Sequence, residues 1–256
     1  MSEKRKTTAV VTSNIKLEEG IHSLFIKEKT IAENAKPGQF VSLYCKDGSR
    51  LLPRPISICE INKEQGMIRL VFRVVGYGTK EFSKLNAGDT VEVMGPLGNG
   101  FKAEGKKAVL IGGGIGIPPM LELAKSLDIE KSIVLGYRTN DFFLKEEFEP
   151  YGRVYVSTED GSAGTKGNVI DAIKEQGIEA DIIYACGPMP MLRGIKAYAK
   201  ENGIKAQISL EEKMACGIGA CLACVCKTKE KDTHSNVNNK RICKDGPVFD
   251  AEEIEF

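Results

Sequence analysis

Four cysteines near the end of the chain constrain its fold more than any other feature. Cys216, Cys221 and Cys224 give the spacing C-x4-C-x2-C, and Cys243 follows after eighteen further residues. Thiolates so placed can close on a metal centre, and a small segment built around one is held together by its ligands rather than by a large apolar core. Five of the eight cysteines fall between residues 216 and 243, a crowding that suits ligation in a reducing compartment better than disulfides. Cys45 and Cys59 stand apart and read as small buried hydrophobes.

Two metals compete for these thiolates. C-x4-C-x2-C is the spacing of plant-type [2Fe–2S] ferredoxins, whereas structural zinc usually takes two ligands from each of two short knuckles. Cys243 stands alone on the far side, so the spacing favours iron–sulfur. His234 lies in the polar insert KEKDTHSNVNNKR, which reads as an exposed hairpin tip, and is expected to be solvated. If Cys224-Val225-Cys226 is a strand, Cys224 and Cys226 point to the same side; Cys226 is then near the cluster without binding it. A two-iron centre moves one electron at a time, which points to electron transfer rather than hydrolysis or group transfer.

At 256 residues the chain has room for two domains with proper cores and a small third module. Lys+Arg of 36 against Asp+Glu of 35 leaves a net charge of +1, which offers no electrostatic reason to bind nucleic acid or an anionic membrane. The N-terminal MSEKRKTTAVVTSN has no signal-peptide core, and no later run approaches the roughly 18 apolar residues of a membrane helix. A soluble cytoplasmic protein is expected. There is no internal repeat and no low-complexity linker.

Residues 7–100 alternate short β-rich runs with turn signals such as KPGQ, KDGS and NAGD, the pattern of an antiparallel β-barrel. In this region only GTKEFSKL, 78–85, reads as a helix. From about residue 102 apolar strand runs alternate with amphipathic segments, which predicts a parallel sheet covered by helices. Residues 213–256 lose that rhythm. The expected division is 1–101, 102–212 and 213–256.

Within the barrel stands Arg54-Pro55-Ile56-Ser57, followed by Val71-Phe72-Arg73 and by Gly78-Thr79. Each suits a flavin dinucleotide: an arginine fork for pyrophosphate, Ser57 for the isoalloxazine edge, and first-turn amides for phosphate oxygens. Taken alone R-P-x-S is a weak motif, equally at home on an edge strand. In the second domain a strand runs into Gly112-Gly113-Gly114-Ile115-Gly116, then two prolines suited to a helix opening. Ile117 and Pro119 depart from the usual G-x-G-x-x-G fingerprint. A second strand delivers Cys186-Gly187-Pro188-Met189 before a helix beginning near Met191. Cys186 faces a nicotinamide ring on one reading and is a packing cysteine on the other. Glu159 and Asp160 would disfavour a 2′-phosphate and lean towards NAD, although a solvated acidic turn explains them equally well.

In the order flavin barrel, nucleotide domain, ferredoxin-like tail, these signals resemble the electron-transfer subunits of the class 1B dihydroorotate dehydrogenases, built on the ferredoxin–NADP reductase plan. RPIS at 54–57, GYGT at 76–79, GGGIGIPPM at 112–120, CGPMPML at 186–192, EEKMACGIGACLACVCKT at 211–228 and CKDGPVFDAEEI at 243–254 carry the resemblance over essentially the whole length. It implies FAD at Arg54 to Ser57, Val71 to Arg73, Gly78 and Thr79. The [2Fe–2S] cluster would fall at Cys216, Cys221, Cys224 and Cys243, and NAD at Gly112, Gly114, Gly116, Cys186, Gly187, Pro188 and Met189. It also implies an FMN-containing catalytic partner that oxidises dihydroorotate in pyrimidine synthesis, two copies of each subunit, and electrons passing through the cluster and FAD to NAD⁺. No side chain need serve as acid or base; Ser57 and Cys186 would orient rings. The nearest rival is a subunit of a ferredoxin-dependent NADP oxidoreductase or sulfide dehydrogenase on the same plan, some of which replace a cluster cysteine with aspartate. A zinc-stapled nucleotide-binding regulator is the rival from another class.

Overall fold

The computed structural model describes residues 6–231 and 236–256. Strands β1 (Lys6–Glu18), β2 (Ile21–Lys27), β3 (Phe40–Tyr44), β4 (Arg54–Asn62), β5 (Met67–Arg73) and β6 (Thr90–Leu97) close an antiparallel barrel in the order β1-β2-β5-β4-β3-β6. Side chains alternate across each strand. Val41, Leu43, Ile58, Ile68, Leu70 and Phe72 fill the interior, with the partly buried Ile56 packed against them. Phe40, Met94 and Leu97 turn outward into one neighbouring core, and Cys59 and Val71 into another. That outward alternation seats the barrel against the rest of the chain.

Two short helices flank the barrel. Helix α1 (Lys29–Asn34) was not expected; it is capped by Glu28, whose carboxylate accepts from the Ile31 amide at 2.6 Å, and it buries Ile31 and Ala32. Six residues are too few for a helical period to show in sequence. Helix α2 (Tyr77–Phe82) overlaps the expected 78–85 helix, starting one residue earlier and ending three residues sooner at the buried Phe82.

Next comes a seven-stranded sheet. Strands β7 (Lys107–Gly113), β8 (Glu130–Tyr137), β9 (Arg153–Thr158), β10 (Thr165–Lys166), β11 (Ile182–Cys186) and β12 (Lys205–Ser209) run parallel. Helix α3 (Pro118–Ser126) covers one face with Met120, Leu121, Leu123 and Ala124. Helices α5 (Val169–Glu175) and α6 (Met189–Asn202) cover the other with Ala172, Ile173, Leu192, Ile195 and Ala199. Helix α4 (Lys145–Phe148) is a single turn after β8. The connection order places β7 between β8 and β11, so the strand order reverses there, where open α/β sheets leave a crevice at the strand ends.

The cysteine-rich segment is less separate than its composition suggests. A hairpin of β13 (Val225–Lys227) and β14 (Asn239–Arg241) stands by itself, but β15 (Val248–Asp250) joins the large sheet antiparallel to β12. The polar insert lies between the hairpin arms, and His234 falls outside the described residues. Asn99, just after β6, ties this segment to the barrel: its amide donates to the Gly246 carbonyl at 2.6 Å and its side chain to Lys244 and Asp245 carbonyls at 3.2 and 2.9 Å.

Candidate functional site

Arg54 opens β4 at the barrel end that α2 covers, and the two meet without room to spare. A Cβ built on Gly78 would lie 2.5 Å from Arg54 Nε, so glycine there lets the guanidinium lie flat against the helix. The Thr79 hydroxyl accepts from the Val75 and Gly76 amides at 3.0 and 3.2 Å. This braces the turn and leaves the first-turn amides without intrahelical partners. Pro55 and Ser57 are half-buried on the outward face of β4, Ser57 lying opposite Phe40. The Val71 and Phe72 side chains are buried, Phe72 stacking on His22 at 6.0 Å, so these two offer backbone to a ligand. Arg73 is exposed at the strand end.

Arg73 also enters an open cleft of about 580 Å³ between the barrel and the carboxyl ends of β7, β8, β9 and β11. Gly113, Gly114, Gly116, Gly187 and Pro188 line it. The loops after β7 and β11 interlock closely: a Cβ on Gly116 would lie 2.4 Å from the Cys186 carbonyl oxygen, and one on Gly113 2.5 Å from Met191 Sδ. Gly114 takes φ +52° with open space beside it, the left-handed region that glycine tolerates at low cost. This brings the loop backbone to the cleft at the opening of α3. Gly112, one step back, packs on Ile117. Met189 is the first residue of α6, which starts two residues earlier than expected.

Cys186 is fully buried among apolar side chains and does not line this cleft. Burial pushes its thiol well above the usual cysteine range, the charge of Glu211 adds to this, and a hydrogen bond with Ser209 opposes it. Gly187 and Pro188, the next two residues, line the cleft, while Cys186 ends a strand that is buried along its whole length. Of the acidic pair, Glu159 lines the cleft. The Asp160 carboxylate instead accepts from the Ser162 hydroxyl and amide at 2.7 and 2.9 Å, which hold it below its ordinary pKa.

Sequence reasoning missed several cleft residues. Glu18, Arg138, Asn168, Ser157 and Glu211 come from strand ends spread over almost 200 positions and carry no local motif. The buried Ser157 hydroxyl has no hydrogen-bond partner among the described residues, and burial raises the Glu211 carboxyl above its ordinary pKa.

The four cysteines gather in two pairs rather than around one point. Cys216 Sγ accepts the amides of Ala220, Cys221 and Ile218 at 3.2, 3.4 and 3.5 Å and is hydrogen-bonded to the Cys221 thiol. Burial works against its thiolate, but these bonds outweigh it and bring the pKa down to about 6. Cys243 Sγ accepts the Gly219 amide at 3.1 Å, and Cys224 Sγ accepts the Cys243 amide at 3.4 Å. No group of three or more ligands converges on a single ion among the described residues. Two thiol pairs suit two irons, each taking two thiolates, better than one tetrahedral zinc. Gly217 and Gly219 both hold positive φ, and a Cβ on Gly219 would press to 2.6 Å from Lys244 Cδ.

Around Cys243, Arg241 grips Asp245 through Nε at 2.9 Å and Nη2 at 3.1 Å and reaches the Gly219 carbonyl at 3.4 Å. Cys226 is apart: it lies on β13, its thiol donates to the Lys240 carbonyl at 3.5 Å, and burial raises its pKa to about 11.

Barrel, nucleotide cleft and paired cysteines together define an oxidoreductase chain of the flavin- and nicotinamide-dependent reductase class with an iron–sulfur segment. Family models agree part by part: an oxidoreductase FAD-binding domain over residues 10–101, an oxidoreductase NAD-binding domain over 110–197, and the iron-sulfur cluster binding domain of dihydroorotate dehydrogenase B over 211–255. The chain belongs to the family of dihydroorotate dehydrogenase B (NAD(+)) electron transfer subunits: it is 42% identical to that of Fusobacterium nucleatum subsp. nucleatum over 96% of this chain and 97% of the relative. It is also 42% identical to that of Bacillus cereus strain AH187 over 98% of both. A solved structure of an NADH-dependent reduced ferredoxin-NADP oxidoreductase, studied for flavin-based electron bifurcation, is 32% identical, matching 100% of this chain and 91% of that one with TM-score 0.87.

Proposed function

We propose that this chain passes electrons from the FMN of a catalytic partner subunit, through a [2Fe–2S] cluster and FAD, to NAD⁺, as the electron transfer subunit of an NAD-dependent dihydroorotate dehydrogenase in pyrimidine (UMP) biosynthesis. The observation that carries this reading is the cluster-binding segment: two cysteine pairs, in the stretch matched to the dihydroorotate dehydrogenase B cluster domain, packed on the barrel face of β3 and β6, β3 being paired with the RPIS strand. When bound, the cluster would supply one-electron chemistry and FAD both one- and two-electron chemistry, which a nicotinamide acceptor requires.

The residues divide the work. Arg54, lying against Gly78, would hold the flavin pyrophosphate together with the amides of Gly78 and Thr79. Pro55, Ile56 and Ser57 would border the ring, with the backbone of Val71 and Phe72 and the Arg73 side chain on its other side. Gly112, Gly114 and Gly116 would admit the NAD phosphates to the start of α3. Gly187, Pro188 and Met189 would border the nicotinamide, with Cys186 supporting them from beneath. Glu159 in the cleft favours NAD over a 2′-phosphorylated nucleotide by like-charge repulsion. Cys216, Cys221, Cys224 and Cys243 would ligate the cluster. No side chain is required as a general acid or base.

Three functional units, 1–101, 102–212 and 213–256, follow from this division of labour, with the last sharing its strand β15 with the second. The partner would be the FMN-containing catalytic subunit, two copies of each chain forming the assembly. A cytoplasmic location accords with reduced cysteines, and no helix among the described residues is long and apolar enough to cross a membrane. The likeness to the ferredoxin-NADP oxidoreductase favours a second reading, a subunit of such an enzyme. Co-purification with a dihydroorotate-oxidising partner, followed by an assay of dihydroorotate-dependent NAD⁺ reduction, separates the two. Activity of the complex supports the first reading; ferredoxin-linked NADP⁺ reduction in its place overturns it.

A further inference from the structure

We propose that Ser42 is a positioning residue for the cluster, its hydroxyl donating a hydrogen bond into the sulfur shell beside Cys216 and raising the cluster's reduction potential. The proposal rests on the reading of residues 216–243 as a [2Fe–2S] site. Ser42 lies in the middle of β3 with its side chain fully buried, and its Oγ has no hydrogen-bond partner among the described residues. A buried hydroxyl left without a partner keeps the full cost of its desolvation, and alanine would fill the position without that cost. The hydroxyl therefore calls for a partner from outside the polypeptide.

Its surroundings identify that partner. Phe40, Ser42 and Tyr44 alternate outward from the barrel while Val41 and Leu43 point inward. The cluster loop crosses this outward face: a Cβ on Gly217, the residue after Cys216, would lie 3.0 Å from Ser42 Oγ and 3.3 Å from Leu97 Cδ1. Met94 and Leu97 beside it are apolar and give the hydroxyl no side-chain partner. Across the sheet Ser42 is paired with Pro55, a member of the proposed flavin segment. Ser42 thus sits under the cluster loop on the strand next to the one that would border the flavin. The donors to Cys216 described above are backbone amides from the loop itself; Ser42 would add a side-chain donor from the barrel. Donors to cluster sulfur stabilise the more negative reduced form and so raise its potential.

The test is an EPR-monitored redox titration of the whole cofactor-loaded protein, comparing wild type with Ser42→Ala and Ser42→Thr. Loss of the hydroxyl in Ser42→Ala is expected to disfavour reduction about tenfold, a shift of about 59 mV to lower potential for one electron, with iron content unchanged. Ser42→Thr keeps the donor and should titrate close to wild type. An unshifted Ser42→Ala potential, an equal shift in both variants, or loss of iron in Ser42→Ala would each overturn the proposal. A wild-type protein without a cluster signal would instead overturn the reading of the cysteines on which it stands.

Discussion

Arg54 and Gly78 come from segments 24 positions apart in sequence and lie so close that the smallest side chain at 78 would strike the Arg54 guanidinium at 2.5 Å. The arginine is laid across the start of α2, whose first-turn amides have no intrahelical partner, and its guanidinium donates to the Leu52 carbonyl. Gly78→Ala is expected to displace Arg54 and cost one charge-assisted hydrogen bond to the flavin pyrophosphate, about 1.5–3 kcal/mol. That is roughly a tenfold or greater rise in the FAD Kd. Fluorescence titration of the flavin-free protein measures it; an unchanged Kd would remove Arg54 and Gly78 from the flavin site.

Arg69 couples the barrel to the nucleotide-binding layer. It projects outward from β5, nearly buried, and forms ion pairs with Glu60 of β4 at 2.6 Å and with Glu147 of α4. Its Nε donates to Ser23 at 2.8 Å. Arg69→Met would leave Glu60 without its strongest partner. Breaking a buried pair costs about 3–5 kcal/mol, and because Glu147 is 41% exposed its share is screened, so about 3 kcal/mol is expected. For the Glu60 carboxyl, burial alone would raise the pKa, but hydrogen bonds from Arg69 and Lys125 outweigh it and hold the group below its ordinary 4.5. A depressed carboxylate contributes stability that is fully present above 4.5 and is lost as pH falls through its folded value. Wild type should therefore lose Tm on acidification over that window, and Arg69→Met should start lower and lose less. Equal acid slopes in calorimetry would show that the pair is energetically idle.

Much of this arrangement was legible in the sequence, and what was not has a common cause. The barrel, the α/β layer and the cysteine segment announced themselves through period, glycine loops and spacing, all local properties. Strand β15 and helix α1 are three and six residues long, and they exist because β12 offers an unpaired edge and the barrel an apolar end. Neither condition can be read from a short window. The cleft residues Glu18, Arg138, Ser157 and Glu211 belong to no motif because they meet only after the sheet has formed. Cys186 shows the converse: CGPM marks a strand end that reaches the cleft, but chain proximity does not reveal that Cys186 is buried in the core while its glycine and proline neighbours line the cleft.

The close approach of Gly116 to the Cys186 carbonyl makes a second site-specific test. A methyl at 116 would sit 2.4 Å from backbone oxygen, which cannot swing aside as a side chain can. Gly116→Ala should force the ends of β7 and β11 apart, destabilise the protein by about 1–3 kcal/mol, and sharply slow NADH-driven flavin reduction while FAD remains bound. Cys186→Ala, which removes only the supporting thiol, should slow that reaction less, again with full FAD content. Stopped-flow absorbance reads both, and an unaltered rate in Cys186→Ala would exclude it from any nicotinamide role.

Five cysteines crowd the cluster segment, and hydrogen bonding sorts four from the fifth. Cys216 pairs with Cys221 and Cys224 with Cys243, and Cys216, Cys224 and Cys243 also accept backbone amides, whereas the Cys226 thiol donates to the Lys240 carbonyl. Cys226 thus has a backbone oxygen, not a second cysteine, as its partner and completes neither pair. Cys226→Ser keeps a donor of similar shape, so its iron content and EPR signal should match wild type. Cys243→Ser removes a soft ligand from the Cys224 pair and should lose the cluster or alter its EPR g values. Iron analysis with EPR of the dithionite-reduced protein distinguishes these outcomes. Were Cys226→Ser to lose the signal and Cys243→Ser to keep it, the pairing of Cys224 would have to be reassigned to Cys226.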